Sequence, residues 1–346
     1  MSEEVRLGVV GCGFIARNRH ILSALEVPAI RIVAITDLVR ERAEEWASRL
    51  GAKAYISAEE MYEQSDLKGV IITTRPETHV PLALGAMQRR IPVLVEKPLA
   101  DNIESARQAA LMADSMKLPC LMGFNKRSAP AYQFAKQQIE KGHFRVTSLN
   151  VEFSSGTWGG VPPSPDNPTY TRIRADIRKA MLLHHIHAFD LVRYFAGEVK
   201  TLRSIFTGDI NGDGCYATVF ITESGAVASL VSGSYLSWRH PFERVTIAGV
   251  NEYFSIDNFR DVTWYRADEA PGRKYTPNYS IQEYSGNYLE GFVPQLAHFA
   301  QCIRGNETPR ATLRDGYLTL RLDLAAQLSA KEGRDLDPTE LDAVRG

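Results

Sequence analysis

Residues 5 to 16 read Val-Arg-Leu-Gly-Val-Val-Gly-Cys-Gly-Phe-Ile-Ala, an apolar run that passes directly into a glycine-rich turn. A short run of this kind, rich in valine and bounded by glycine, reads as a buried strand. Gly11 permits a tight strand-to-helix turn, Gly13 lets the backbone approach a ligand closely, and Ala16 keeps the following helix near the strand. That helix start offers unpaired N–H groups and a partial positive charge, the setting in which the pyrophosphate of a dinucleotide is bound. Strand, glycine turn and helix in this order commit the first part of the chain to βαβ architecture.

The next apolar run, Arg31–Thr36, ends in Asp37, 21 residues beyond Ala16, close to the spacing of a ribose-binding acid. A carboxylate there accepts hydrogen bonds from the ribose hydroxyls and repels a 2′-phosphate, which favours NAD over NADP. Asp37 also suits the N-cap of a helix over Leu38–Leu50, and the two roles are compatible. Arg40 is the neighbouring residue that would tolerate a 2′-phosphate. Gly11, Gly13, Phe14, Ile15 and Asp37 are therefore the expected adenosine and pyrophosphate contacts.

Strand and helix signals alternate through residue 125. Apolar runs at Val5–Val10, Ile30–Thr36, Gly69–Thr73, Pro92–Val95 and Cys120–Gly123 read as parallel strands. Helical patterns cover Phe14–Leu25, Val39–Leu50, Ala58–Gln64, Thr78–Arg90 and Ile103–Met116. Ser57 with Glu60 and Asp101 with Glu104 have capping-box spacing, and Gly51 follows the second helix. Such βαβ repetition implies a doubly wound open sheet whose ligand crevice lies beyond the carboxyl ends of its strands.

Beyond about residue 145 the pattern becomes polar–apolar alternation, at Val146–Ser155, Val199–Thr207, Cys215–Thr222, Ala226–Ser234, Glu243–Ala248 and Val262–Arg266. This is the signature of an antiparallel sheet with one covered face. A helical segment, Ile177–Phe195, interrupts it, and helices near Tyr284–Arg304 and Leu313–Gly333 close the chain. The Gly-, Pro- and Trp-rich loop Gly156–Thr171 has no periodicity and is placed to cover a site. The fold class is α/β, with residues 1–125 as the dinucleotide-binding domain and residues 126–346 as a substrate and oligomerisation domain whose last helices pack back on the first.

With 346 residues, 44% hydrophobic and 23% charged, the chain is long enough for two domains of ordinary globular composition. A formal net charge of -1 gives no basic field for nucleic acid or an anionic membrane. No apolar run reaches the length of a membrane span, and Met-Ser-Glu-Glu lacks the pattern of a secretory signal, so the expected location is cytoplasmic. Four scattered cysteines, at 12, 120, 215 and 302, speak against a disulfide framework or a zinc site.

Two clusters carry chemistry. Lys97, in Glu96-Lys97-Pro98, follows a buried strand at the crevice, where a lysine is costly unless it serves a purpose; Asn125-Lys126-Arg127 follows the next strand. In the second cluster, His184, His187 and Asp190 are spaced by three and share a helix face. A neutral imidazole there suits general acid/base work on an alcohol; His185 reads equally as a buried structural ring. No carboxylate-rich ligand set accompanies these histidines, so no metal is expected.

The chain resembles the glucose–fructose oxidoreductase/inositol 2-dehydrogenase (Gfo/Idh/MocA) family over nearly its full length. The motifs, in order, are Gly11-x-Gly13-x-x-Ala16, Thr73-Thr-Arg-Pro-Glu-Thr-His79, Glu96-Lys97-Pro98, Gly123-Phe-Asn-Lys-Arg127, His187-x-x-Asp190-Leu191-x-Arg193, and Ala325-Ala326-x-x-Ser329-Ala330-x-x-Gly333-Arg334. The resemblance implies a Rossmann domain followed by an α/β domain with a large open, mostly antiparallel sheet, through which members pair into dimers or tetramers. It implies that Lys97 polarises the reacting oxygen, that Lys97–Pro98 is cis, and that His187 is the proton acceptor. It places Thr73, Thr74, Arg75, His79 and Glu96 with Lys97 on the nicotinamide side of the cofactor, and Asn125 and Arg127 near substrate hydroxyls. Trp158, Tyr170 and Tyr284 are further expected substrate contacts. The family commonly reads Asp-x-Gly-x-His; here Leu183 stands in the aspartate position, and His184 is the nearest polar replacement.

The expected activity is NAD(H)-dependent interconversion of hydroxyl and carbonyl on a small polyhydroxylated substrate: a sugar, sugar derivative or cyclitol. Two other readings share the fold: NAD-assisted glycoside cleavage, and a non-catalytic sugar-sensing regulator resembling the galactose-pathway repressor. Lys97 and His187 speak against the regulator; Leu183 speaks for it.

Overall fold

A computed structural model of the chain describes residues 4–142, 144–156, 185–208, 214–236, 242–275 and 286–342. They form two compact units: Met1–Ser128 with Ser285–Leu318, and Ala129–Tyr284 with Thr319–Gly346.

The first unit is built on a six-stranded parallel sheet of β1 (Val5–Val10), β2 (Ile30–Thr36), β3 (Lys53–Tyr55), β4 (Gly69–Ile72), β5 (Val93–Val95) and β6 (Cys120–Met122). Their spatial order is β3-β2-β1-β4-β5-β6. The direction of winding reverses between β1 and β4, which opens a ligand crevice beyond their carboxyl ends. Leu7, Val9, Ile35, Ile71 and Leu94 are fully buried in this sheet. Helices on the sheet's faces exclude water from both sides, so these strands read as continuous apolar runs. β3, with only Lys-Ala-Tyr, escaped the sequence reading because a three-residue edge strand shows no period.

Helices α1 (Ile21–Leu25), α2 (Arg40–Leu50), α3 (Ala58–Gln64), α4 (Pro76–Gln88) and α5 (Ile103–Met116) connect the strands. The expected single helix Phe14–Leu25 contains a π turn at Ala16–His20, closed by Ile21 N–H bonding to the Ala16 carbonyl. Ser57 caps α3 by accepting the Glu60 N–H at 3.1 Å, and Gly51 ends α2 at φ 63°. The cap expected from Asp101 is corrected: Asn102 holds that place, its Oδ1 accepting the Ser105 N–H at 2.9 Å. Asp101 instead accepts from the Asn102 side chain.

In the second unit, β7 (Ser148–Gly156), β8 (Val199–Gly208), β9 (Gly214–Thr222), β10 (Val227–Leu236), β11 (Phe242–Ala248), β12 (Glu252–Asp257), β13 (Asp261–Arg266) and β14 (Glu269–Tyr275) form one sheet. The order is β14-β13-β12-β11-β7-β10-β9-β8. Neighbours are antiparallel except β7 and β10. α6 (Pro130–Glu140) and α7 (Ile186–Ala196) pack on it over a core that includes Tyr132, Phe189, Phe220, Phe254 and Val245. Exposed positions alternate with these along the strands, leaving Ile205, Val219, Ile221, Val227 and Val231 on solvent. β12, β14 and α6 were not anticipated. Of the expected helix Ile177–Phe195, the part before residue 185 lies outside the described residues, as do residues 157–171 of the expected loop.

The chain closes with α8 (Gly286–Leu289), α9 (Phe292–Ile303) and α10 (Leu313–Glu332). The expected helix from Tyr284 to Arg304 is therefore two helices, divided at Gly291 with φ 94°. Thr312 and Asp315 start α10 reciprocally, each side chain accepting the other's backbone N–H. Among the described residues, no helix is long and apolar enough to cross a membrane.

Candidate cofactor and catalytic site

The carboxyl ends of β1, β2, β4 and β5 bring most of the expected cofactor residues together. Gly11 N–H bonds to the Thr36 carbonyl at 2.8 Å, which joins the glycine turn to β2. Thr73 Oγ1 donates to the Gly11 carbonyl at 2.6 Å from the β4 side. Gly11 has φ 88°, and a Cβ there would stand 2.8 Å from Thr74 Cγ2, so this glycine is required by the fold itself. Gly13 differs: a Cβ there would meet nothing within 4 Å. It is half-buried and Phe14 is exposed. The turn thus leaves open space in front of the first helical amides, which have no preceding carbonyl to bond. A pyrophosphate fits that space and those donors.

Asp37 accepts two backbone N–H groups, from Cys12 at 2.6 Å and from Val39 at 2.8 Å. It does not cap α2, which begins at Arg40 with Val39 in the cap position and no side-chain cap bond. The carboxylate instead ties the glycine turn to the end of β2. A carboxylate offers about four acceptor sites, so two are left for ribose hydroxyls. Burial, and then Asp37, pushes the Cys12 thiol up to about 12, and it stays protonated. Arg40 is exposed and pairs with Glu44 at 2.7 Å.

His79, on α4, is buried with Nδ1 2.8 Å from the Pro98 carbonyl and Nε2 3.0 Å from the Thr74 carbonyl. Burial holds its pKa below the ordinary value. A neutral ring donates to one of these carbonyls and so links the turn after β4 to the turn after β5. Arg75 is mostly exposed beside Glu77, at 3.4 Å.

The Lys97–Pro98 peptide is cis. Lys97 is partly buried at the end of β5. Burial pushes its ammonium pKa down, Glu96 pushes it up, and Lys126 pushes it down again. Glu96 is buried, and its Oε2 accepts the Lys97 N–H at 3.0 Å. A residue that sequence reading did not select completes this group: His20 Nε2 lies 2.8 Å from Glu96 Oε1.

After β6, Asn125–Ser128 forms a 3-10 turn whose polar residues are all buried. Asn125 Nδ2 donates to the Glu290 carbonyl at 2.7 Å. Arg127 donates to the Arg310 carbonyl at 2.9 Å and to Asp315 Oδ1 at 3.2 Å. Both side chains thus brace the turn against the closing helices of their own unit.

In the second unit α7 carries His187, 7% exposed, and Asp190, 1% exposed. Asp190 Oδ1 accepts from Thr319 Oγ1 at 3.4 Å, and Arg193 donates to the same hydroxyl at 2.9 Å. His185 packs edge-on against Phe153, and burial alone lowers its pKa to about 4, so it is a neutral core ring. Trp158, Tyr170, Leu183, His184 and Tyr284 lie outside the described residues. Among the described residues, no group of three or more His, Cys, Asp or Glu is placed to hold a metal ion.

Comparison with known proteins places the chain in a family. Residues 5–124 match the Gfo/Idh/MocA oxidoreductase family, NAD-binding Rossmann fold, and residues 178–340 match that family's C-terminal alpha/beta domain. The scyllo-inositol 2-dehydrogenase (NAD+) of Bacillus subtilis strain 168 is 27% identical over 356 residues, covering 100% of this chain and 98% of its own. Myo-inositol 2-dehydrogenase of Thermotoga maritima is 25% identical over 353 residues, covering 97% of this chain and 99% of its own. An oxidoreductase from Agrobacterium radiobacter, solved with NAD+, L-tartaric acid and magnesium, has the same fold: TM-score 0.81 at 20% identity, over 98% of this chain and 99% of that one. The chain therefore belongs to the Gfo/Idh/MocA family, as an NAD-binding dehydrogenase whose Rossmann domain precedes the family's C-terminal alpha/beta domain.

Proposed function

We propose that the protein interconverts a hydroxyl and a carbonyl on a sugar, sugar derivative or cyclitol, with NAD as its cofactor in preference to NADP. The observation that carries this reading is Lys97: a partly buried ammonium at the carboxyl end of β5, next to a buried carboxylate, in the crevice where this fold binds its ligands. The curated relatives named for inositols point to a cyclitol as the first substrate to try.

The turn at Gly11, Gly13, Phe14 and Ile15 would hold the pyrophosphate, and Asp37 the adenosine ribose. Thr73, Thr74, Arg75, His79 and Glu96 would flank the nicotinamide end. NAD, when bound, accepts or returns a hydride. Lys97 stabilises negative charge developing on the substrate oxygen, and His187 takes or returns the hydroxyl proton. Asn125 and Arg127 shape the substrate side, with Trp158, Tyr170, His184 and Tyr284 as further contacts. In this reading the first unit binds the cofactor. The second serves substrate and assembly: Ile205, Val219, Ile221, Val227 and Val231 form an exposed apolar patch that suits pairing with another copy, as a homodimer or homotetramer.

The test is NADH production with a panel of inositols, aldoses and their derivatives, for wild type and Lys97→Ala. A polyol that yields NADH with wild type, and at least 100-fold less with Lys97→Ala, supports the reading. Sugar release from glycosides without net NADH points instead to glycoside cleavage. Tight NAD binding with no turnover on any substrate points to a sensor.

A further inference from the structure

Glu96 lies immediately before Lys97 and is 4% exposed. Burial alone would raise the pKa of such a carboxyl, yet the hydrogen bond from His20, and then Lys97, hold it below its ordinary value. It is an ionised group in the interior, and it has to be held there.

The holding is specific. Glu96 Oε2 accepts the backbone N–H of Lys97 at 3.0 Å, and Oε1 meets His20 Nε2 at 2.8 Å. An ionised carboxylate can only accept, so His20 Nε2 carries the hydrogen. The opposite nitrogen, Nδ1, is buried without a hydrogen-bond partner among the described residues, so no other polar group competes for the orientation of the ring. Phe292 fixes its plane from the side, edge-on at 5.5 Å and 88°. Gly123 closes the pocket: a Cβ there would stand 3.0 Å from Glu96 Cα and 3.2 Å from its carboxyl carbon.

His20 reaches this place because it ends the π turn Ala16–His20 in the helix that follows the glycine turn. A π turn adds one residue to a helical turn and re-aims the side chains after it. His20 is 0% exposed, so the turn sends an imidazole into the interior at the one point where it meets the Glu96 carboxylate.

We propose that His20 is a positioning residue for Lys97: its Nε2–H fixes the Glu96 carboxylate, and that carboxylate both anchors the Lys97 backbone and sustains the positive charge of its side chain. The proposal rests on the reading of Lys97 as the group that polarises the substrate oxygen. Among the described residues, the charged and titratable groups that bear on Glu96 and Lys97 include Lys126 and His79. Lys126 opposes the Lys97 charge, His79 is kept neutral by burial, and Glu96 supports the Lys97 charge.

The direction of the effect follows. Without the His20 donor, the buried carboxylate loses its fixed orientation beside Lys97. Lys97 then loses support for its ammonium and deprotonates at lower pH. A single nearby opposite charge moves a pKa by about one to three units; the carboxylate keeps its charge and loses only its orientation, so a fall of at most about one unit is expected. Activity that needs the ammonium declines as pH rises through the Lys97 pKa, so the alkaline limb of kcat shifts down by the same amount.

The experiment compares wild type, His20→Leu and His20→Gln, in which the glutamine amide can replace the Nε2–H. The apo protein, grown with [6-13C]lysine, is titrated by 13C NMR, and the Lys97 signal is assigned by its loss in Lys97→Arg. The kcat–pH profile is recorded with NAD and the inositol that gives the most NADH. The expected result is a Lys97 pKa and an alkaline limb lower by up to about one unit in His20→Leu, restored in His20→Gln. Should His20→Leu fail to fold, His20→Asn, whose amide falls short of Glu96, takes its place. An unchanged Lys97 titration in the donor-less variant overturns the proposal, even if stability or rate falls, because a packing role would move those alone. If Lys97→Ala keeps its turnover, it is the catalytic reading of Lys97 that fails, and the apo titration still decides the link from His20 to Lys97.

Discussion

Gly11 and Gly13 stand two residues apart in one turn, and alanine should harm them in opposite ways. At Gly11 the φ of 88° is one that L-residues adopt at a cost of about 1–2 kcal/mol. The new methyl would stand 2.8 Å from Thr74 Cγ2 and 3.1 Å from the Thr73 carbonyl carbon and oxygen. Thr73 has little freedom to retreat, since its N–H bonds to the Val10 carbonyl at 2.9 Å and its hydroxyl to the Gly11 carbonyl at 2.6 Å. Overpacking of this kind adds about 1–3 kcal/mol. Gly11→Ala should therefore destabilise the apo protein by about 2–5 kcal/mol, a large part of the roughly 5–15 kcal/mol that stabilises a domain. For a unit of this size each kcal/mol moves the melting midpoint by about 2–4 °C, so a drop of roughly 5–20 °C is expected. Gly13 has neither constraint: its φ is not left-handed and a Cβ meets nothing within 4 Å. Alanine there should leave the midpoint unchanged, or raise stability by about 0.4–1 kcal/mol through a less flexible unfolded chain. Its methyl would, however, stand in the space assigned to the pyrophosphate. Losing one charge-assisted amide–phosphate bond is worth about 1.5–3 kcal/mol, or a ten- to hundred-fold weaker NAD affinity. Thermal unfolding of the apo variants and calorimetric titration with NAD measure the two effects separately. A Gly13→Ala protein that melts as early as Gly11→Ala, or that binds NAD as wild type does, would refute the division of labour between these glycines.

Asp37→Ala should weaken NAD binding and relax discrimination against NADP. It should also destabilise the apo protein by about 2–4 kcal/mol, since the Cys12 and Val39 N–H groups lose a charged acceptor; urea unfolding without nucleotide checks the second part. Asp323, on α10, is fully buried, and burial raises its carboxyl from 3.8 to about 7. The folded state therefore holds this proton more tightly than the unfolded state, and the stability it contributes is complete below pH 3.8 and lost as pH rises through about 7. Asp323→Asn, which keeps the oxygen that Gln327 donates to at 3.2 Å, should match wild type near pH 4. By pH 8 it should be the more stable, by several kcal/mol at most, on the order of three pKa units. Denaturant midpoints at the two pH values decide it. Equal midpoints at both would remove Asp323 as the source of any such pH dependence.

The glycine turn, the parallel strands and the order of the site motifs were legible because each is set by local backbone demands. A φ of 88° at Gly11 or 63° at Gly51 selects glycine whatever else surrounds it. A strand covered on both faces must be largely apolar; β4 is so throughout, and β1 and β2 are apart from Arg6, Arg31 and Thr36. The misreadings have a common physical origin. Asp101 and Asn102 are both good caps, and which of them turns its oxygen toward the helix depends on backbone geometry that composition does not record. Asp37 fits the rule for a helix cap, but its oxygens are drawn to Cys12, 25 residues away in sequence.

His20 illustrates the limit most sharply. In sequence it is one histidine after two arginines and an asparagine, and the periodicity of an ordinary helix gives it no special face. Its place is decided by two features with no local signature: one extra residue in a helical turn, and a carboxylate 76 positions later. The same holds for Arg127, whose partners Arg310 and Asp315 lie more than 180 residues away. What a sequence announces about a site is thus the part that the backbone must satisfy on its own, chiefly where a ligand needs close approach. The electrostatic support of a reactive group is assembled from distant segments, and it can be read only when those segments are seen in contact. The Lys97 neighbourhood joins both kinds of information: the strand-end lysine could be selected from its position alone, whereas the anion and the imidazole that bear on its charge could not.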